Sequence, residues 1–353
     1  MGRKPTVNLN LPKGMRRRRR GDRVYYYLDI GERPRRELAL GSDYPLAVKK
    51  WAELQLEKVP RNARPTFCDA ATRYLAEVVP TKAPKTQDEN IRQMETLQEF
   101  FGNPPAPLDD IWPVHIQQFL EWRKDVPVAA NREKSLFSHV WNMARVWGYT
   151  NQPNPCTGVK GASETGRDIY VEREVFQAVY DEACQPLRFL MQLLYLTGQR
   201  PTDVVTRELK RHLATRTDGK QELIFKQGKT SKKLRVLVIG ELLVVVEMVL
   251  IWKEGRPNSS PYLLVNEQGR RLSRSSLVRW FRDARLAARE KHPELDEEIA
   301  QFQLRDLRAK AGTDKADLAG DVRQAQRQLG HSSVTMTETY IRNRKGDTIT
   351  PTR

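Results

Sequence analysis

The sequence predicts a multidomain chain. A small α+β module comes first, then an all-α domain, then a mainly α domain with a small antiparallel β-sheet. Three observations predict this. The 353 residues are enough for two domains and a small third. Residues 66–150 carry apolar residues at helical spacing throughout. The stretch 151–168, NQPNPCTGVKGASETGRD, has the proline, glycine and small polar composition of a linker and separates what precedes it from 169–353.

Residues 1–64 hold 17 Lys+Arg against 7 Asp+Glu, so more than half of the net +17 lies in less than a fifth of the chain. Arg16, Arg17, Arg18, Arg19 and Arg20 form an unbroken basic run. Val24 to Ile30 (VYYYLDI) is aromatic and β-favouring, a turn follows at Gly31-Glu32-Arg33-Pro34, and Glu37 to Gly41 is placed to pair back. Tyr44 to Lys58 has the spacing of a helix. A solvated basic tail would account for the arginines alone; tyrosine-rich strands beside them favour a DNA-binding module. In the second domain, helices are expected at Phe67 to Val79, Lys85 to Phe101, Pro113 to Arg123 and Ala129 to Trp147. Pro113 suits a first helical position, with Asp110 as its candidate cap.

The third domain opens with helices at Glu172 to Ala183 and Pro186 to Thr197. Strands at Glu222 to Phe225 and Leu234 to Ile239 flank a basic turn. Helices follow at Glu241 to Trp252 and Ser275 to Arg289, and two short helical segments near Leu307 and Met336 close the domain.

Composition narrows the function. Hydrophobic residues make up 39% and charged residues 30%, as in a globular protein with sizeable cores. The net charge of +17 calls for a polyanionic partner, nucleic acid ahead of an anionic membrane surface. The longest apolar run, Leu242 to Trp252, is interrupted by Glu247 and too short to span a bilayer. No apolar signal region follows MRRRRR. The 3 cysteines are far apart, with no metal-ligand or disulfide spacing. A reduced cytoplasmic chain without metal or cofactor is expected.

Four segments carry chemistry. In LTGQRPTDVV (Leu196 to Val205), Gly198 stops one helix and Pro201 starts the next. Arg200 is thereby held at a helix N-terminus that favours an anion, and Asp203 stands one turn on to hold the guanidinium. A surface arginine with a capping aspartate is the plainer alternative. In IFKQGKTSKKLRV (Ile224 to Val236), Gly-Lys-Thr resembles the end of a P-loop, but Leu223 stands where the first glycine is required, which excludes nucleotide binding. What remains is a hairpin tip with Lys226, Lys229, Lys232 and Lys233, able to reach DNA. In FQLRDLRAKAG (Phe302 to Gly312), Arg305 and Arg308 are three apart on a helix and should face one side, able to grip a phosphate. In LGHSSVTMTETY (Leu329 to Tyr340), Gly330 ends a helix and Thr335 with Glu338 forms a capping box that restarts one. His331 then lies on the turn and Tyr340 one turn into the new helix, in a run too polar for an apolar core.

Taken together, Arg200, Lys229, Arg308, His331 and Tyr340 follow one another as in a known family. Residues 170–345 closely resemble the tyrosine recombinases, the phage integrase family, lambda integrase included. The motifs are LTGQRPTD, GKTSKK, RDLR and LGHSSVTMTETY. The resemblance implies that Tyr340 attacks a DNA phosphodiester and forms a 3′-phosphotyrosyl bond. It implies that Arg200 and Arg308 hold the phosphorane, that Lys229 protonates the leaving 5′-oxygen, and that His331 hydrogen-bonds a phosphate oxygen. By the same resemblance, 66–150 would be the core-binding domain and 1–64 an arm-type DNA-binding domain. Four protomers would act on double-stranded attachment sites in a bacterial host cell, helped by a DNA-bending host factor and an excisionase. A type IB topoisomerase and a non-catalytic DNA-binding regulator of the same fold are the competing readings.

One position departs from the family pattern. The second arginine box commonly reads His-x-x-Arg, and here it is Arg305-Asp306-Leu307-Arg308. Arginine stays protonated and cannot serve as a general base. The phenolic proton of Tyr340 would pass to water or to His331, or Arg305 would lower the phenol pKa.

Overall fold

The computed structural model describes residues 11–31, 36–56, 64–167, 169–257 and 260–345. The expected turn at Glu32 to Pro34, the end of the helix at Lys58 and the last linker residue, Asp168, lie outside the described residues. The chain is mostly helical, with two small antiparallel sheets, and divides into two compact units, Met1–Thr165 and Gly166–Arg353.

In the first unit, β1 (Met15–Arg20), β2 (Arg23–Asp29) and β3 (Glu37–Gly41) form an antiparallel sheet in that order. The arginine run, which the sequence marks only as charge, is itself an edge strand: Arg16, Arg17 and Arg18 pair with Tyr27, Tyr26 and Tyr25. Strand alternation then sorts the side chains. Met15, Leu28 and Leu40 are buried in one cluster with Ala47, Val48 and Trp51 of helix α1 (Tyr44–Leu56). The opposite face carries Arg16, Arg18 and Arg20 with Tyr25 and Tyr27.

Helices α2 (Phe67–Glu77), α3 (Pro84–Phe101), α4 (Pro113–Trp122) and α5 (Pro127–Val146) continue the same core, with Phe67 stacked on Phe137 at 4.8 Å. Thr66 caps α2 through a capping box with Asp69. Asp110 does not cap α4. The N-cap is Trp112, whose backbone N–H donates to His115 Nδ1 at 2.9 Å, while Asp110 pairs with Arg64 at 3.1 Å. The linker-like stretch is pinned along α5. Asn154 Nδ2 donates to Ser138 O at 3.1 Å and Ala162 N to Asn131 Oδ1 at 2.8 Å.

The second unit is built around α7 (Gln185–Thr197), which follows α6 (Arg173–Asp181) and buries Leu187, Leu190, Met191, Leu193 and Leu194. Two short helices follow, α8 (Pro201–Val205) and α9 (Leu209–His212). Then β4 (Leu213–Thr215), β5 (Gln221–Lys226) and β6 (Lys233–Leu237) form the second antiparallel sheet, with Leu223 and Phe225 turned into the core. The chain closes with α10 (Glu241–Glu254), α11 (Arg274–Lys291), α12 (Asp296–Gln301), α13 (Asp306–Ala319), α14 (Val322–Leu329) and α15 (Val334–Lys345). The sequence reading does not set out β4, α9, α12 and α14, all of which are short. Among the described residues, no helix is long and apolar enough to cross a membrane.

Candidate active site

Two helix ends and a hairpin build the site. Gly198 closes α7 in the left-handed conformation at φ 66°, and Gly330 closes α14 in the same way at φ 69°. Each end points backbone carbonyls inward, where a cation is favoured. Arg308, near the start of α13, satisfies both. Its Nη1 donates to Gly198 O at 2.7 Å and its Nη2 to Leu329 O at 2.5 Å, and the residue is only 4% exposed.

Arg200 is the N-cap residue of α8, immediately before Pro201, as expected. Its Nη1 is enclosed without a hydrogen-bond partner and stands 3.7 Å from Asp203 Oδ2. That is ion-pair distance but too long for a hydrogen bond. Asp203 does a second job: its Oδ1 accepts from Gly228 N at 2.9 Å and ties the hairpin to α8.

Two buried glutamines complete the frame. Gln227 Nε2 donates to Gln199 Oε1 and to Leu329 O, each at 2.9 Å, and its Oε1 accepts from Thr230 Oγ1 at 2.8 Å. Gln199 Nε2 donates to Thr197 O at 3.0 Å and Gln328 O at 2.9 Å. Each polar atom spent in this network is matched, which is the condition for burying it. The sequence gives no sign of these glutamines, because an amide carries neither charge nor periodicity.

His331 is buried at 7% exposure and Thr337 is fully buried, while Ser332, Ser333, Thr335 and Met336 around them are exposed, as a run too polar for an apolar core requires. His331 Nδ1 lies 3.0 Å from Thr337 Oγ1 on α15. Burial, followed by the charges of Arg308, Arg200 and Lys232, pushes the imidazole pKa down to about 4. The ring is therefore neutral at pH 7. Lys232 Nζ donates to His331 O at 3.4 Å.

The other candidates sit further out. Lys229 and Lys233 are exposed on and beside the hairpin turn, with Lys226 next to them. Arg305 is exposed at the N-cap of α13, whereas Arg308 is buried. The expected shared face is not formed, because Arg305 precedes the first helical turn while Arg308 points into the α7 and α14 ends. The start of α15 also differs from expectation. Ser333 Oγ accepts from Met336 N at 3.2 Å and caps the helix, leaving Thr335 inside it. Tyr340 lies on α15, which packs against α13 and α14.

Asp306, unremarked in the sequence, is 2% exposed and takes a two-pronged ion pair from Arg167, with Nε to Oδ1 at 2.9 Å and Nη2 to Oδ2 at 2.7 Å. It also accepts from Gln303 N at 2.8 Å, which fixes the entry to α13.

The fold is shared with solved integrases and a site-specific recombinase. The chain is similar to a lambda integrase tetramer bound to a Holliday junction, with 20% identity, 97% of this chain and 99% of that chain covered, and a TM-score of 0.66. It is similar to the Tn1549 transposon integrase in complex with transposon right end DNA, with 15% identity, 78% and 94% covered, and a TM-score of 0.64. It is also similar to the XerH site-specific recombinase bound to palindromic difH substrate, with 14% identity, 83% and 90% covered, and a TM-score of 0.56. No curated protein matches the sequence. The family model described as "Phage integrase family" matches residues 170–346. The chain belongs to that family, the tyrosine site-specific recombinases.

Proposed function

We propose that the chain cleaves and rejoins double-stranded DNA at attachment sites, with Tyr340 as the nucleophile and a 3′-phosphotyrosyl intermediate. The observation that carries this reading is the buried frame that gathers Arg200, Arg308 and His331 beside the helix bearing Tyr340. Arg308 is locked by two carbonyls, and Arg200 keeps an enclosed donor at a helix N-terminus. Such preorganised cations stabilise charge that grows on a phosphorane without moving. Lys229, exposed on the turn, protonates the departing 5′-oxygen, while Lys232 and Lys233 add phosphate contacts beside it.

Residues 1–64 act as the arm-type module, 66–150 as the core-binding domain, 151–168 as the connection and 169–353 as the catalytic domain. The sheet face carrying Arg16, Arg18 and Arg20 with Tyr25 and Tyr27 is the one that meets DNA; Arg17 and Arg19 flank it. Solved relatives are DNA complexes, one of them a tetramer, and the same assembly on paired attachment sites is proposed here. A DNA-bending host factor and an excisionase are its proposed accessory partners, in a bacterial cytoplasm.

The test is covalent trapping. Wild type and Tyr340→Phe are incubated with nicked duplexes carrying candidate attachment sequences, without metal, and resolved on a denaturing gel. A shifted protein–DNA band is expected with wild type alone. A band that persists in Tyr340→Phe refutes the nucleophile. Transfer of the strand to a second labelled duplex separates recombination from topoisomerase-like relaxation.

A further inference from the structure

We propose that Arg207 is a positioning residue of the cleavage site: its buried guanidinium offsets the charge of Asp203 and so leaves the charge of Arg200 free to act on the scissile phosphate. The inference rests on Arg200 holding that phosphate.

The starting observation is a group of unmatched polar atoms around one carboxylate. Among the described residues, Arg200 Nη1, Asp203 Oδ2, Arg207 Nε and Arg207 Nη1 are all enclosed and all lack a hydrogen-bond partner. Arg200 Nη1 is 3.7 Å from Asp203 Oδ2, close enough to feel its charge but not to bond it. Arg207 is 8% exposed. Its Nη2 donates to Thr206 Oγ1 at 3.0 Å, and its guanidinium carbon lies 5.9 Å from the centre of the Phe225 ring. A buried guanidinium with two idle nitrogens is costly and needs an opposite charge close by. Two carboxylates bear on it, Asp203 and then Glu208. Glu208 is already engaged by Arg211 at 3.2 Å. Asp203 is left as the counter-charge.

The surroundings hold Arg207 in place. Its backbone N donates to Val204 O at 3.1 Å, and its carbonyl accepts from Leu263 N at 2.7 Å. Thr206, which receives Nη2, donates its own proton to Thr202 O at 2.9 Å and is thereby tied to α8. Because Nε and Nη1 are shut away from solvent, Arg207 acts through Asp203 rather than by touching DNA. Without Arg207, Asp203 and Arg200 would present no net charge to a phosphate. With it, the three groups carry a single positive charge in a place where water screens weakly. Asp203 itself is needed, since its Oδ1 accepts from Gly228 N at 2.9 Å and holds the hairpin that bears Lys229. Arg207 thus lets one carboxylate anchor the hairpin without cancelling Arg200.

The experiment is single-turnover formation of the covalent adduct on a nicked duplex, at saturating protein, with urea unfolding to show that each variant is folded. Arg207→Met is expected to slow the adduct roughly 10–10²-fold, while affinity for the duplex changes less than about threefold. Arg207→Lys keeps the charge and should stay within about threefold of wild type. Adding Asp203→Asn to Arg207→Met should recover about fivefold or more, because asparagine has no charge to cancel Arg200 and its Oδ1 still accepts from Gly228 N. Should Arg207→Met not fold, Arg207→Gln is read in the same way. A folded Arg207→Met at the wild-type rate overturns the proposal. So does a loss in Arg207→Lys as large as in Arg207→Met, or no recovery with Asp203→Asn; either would make Arg207 a packing residue. An unchanged rate in Arg200→Gln, or an adduct that survives in Tyr340→Phe, is a different outcome: it refutes the role of Arg200 or of the nucleophile itself.

Discussion

Arg308 ties the fold together at the centre of the proposed catalytic site. Its guanidinium closes two helix C-termini, Gly198 of one and Leu329 of the other, in a place that solvent barely reaches. Lysine offers a point charge rather than a fork and cannot reach both carbonyls in the same geometry. Arg308→Lys is expected to lose about 1–3 kcal/mol of stability, read by urea unfolding, and about 10²-fold or more in the rate of covalent cleavage. His331 gives a second expectation at this scale. Its pKa falls from 6.5 to about 4 on folding, so the unfolded chain takes up the proton first as pH drops. The associated stability is complete above pH 6.5 and is lost as pH falls toward 4, by at most about 3 kcal/mol. His331→Gln should flatten that part of the pH–stability curve; parallel curves for the two proteins would refute the assignment.

At the scale of elements, the site depends on where helices stop. Gly330 ends α14 at φ 69°, and a Cβ there would come within 3.0 Å of Gln227 Nε2 and of Leu234 Cδ1. Gly330→Ala therefore adds about 1–2 kcal/mol of backbone strain to a contact with the hairpin. Denaturation should show that loss, and cleavage should fall further than stability alone explains, because His331 is the next residue. A variant as stable and active as wild type would mean the turn is not constrained. Such helix ends were readable in advance: Gly198, Pro201 and Gly330 punctuate the chain as their backbone chemistry requires. The order of motifs along the chain singled out Arg200, Arg308 and His331 as candidates, and the structure brings the three together. What stayed hidden is what tertiary packing alone decides. The arginine run could be counted but not recognised as a strand. Ser333 and Thr335 are equally good caps on paper, and only geometry selects Ser333. Gln199, Gln227 and Thr337 look like any surface polar residue until their partners, far away in sequence, are known.

For the molecule as a whole, charge distribution decides how DNA is held. More than half of the net +17 lies in residues 1–64, and β1 displays Arg16, Arg18 and Arg20 on the sheet face away from α1. Two of these already have partners, Arg16 with Asp29 at 3.1 Å and Arg18 with Glu37 at 2.7 Å. Asp29 and Glu37 are largely covered, but the arginine side chains keep 37% and 53% of their surface exposed, so each guanidinium still has donors to offer a phosphate. Each phosphate so bound releases counterions and steepens the fall of affinity with salt by about 0.9 in log–log slope. Replacing Arg16, Arg18 and Arg20 together with glutamine should reduce the slope by up to about 3 on DNA that carries accessory sites. On a short core-site duplex the slope should barely change, because the proposed division of roles assigns the contacts there to residues 66–150 and 169–353. Binding isotherms on both duplexes across a salt series would measure the two slopes. An equal loss on both would place the arginine strand on the core site and remove the arm-type role; no loss on either would leave the strand as solvated charge, and the basic excess would have to act from elsewhere in the chain.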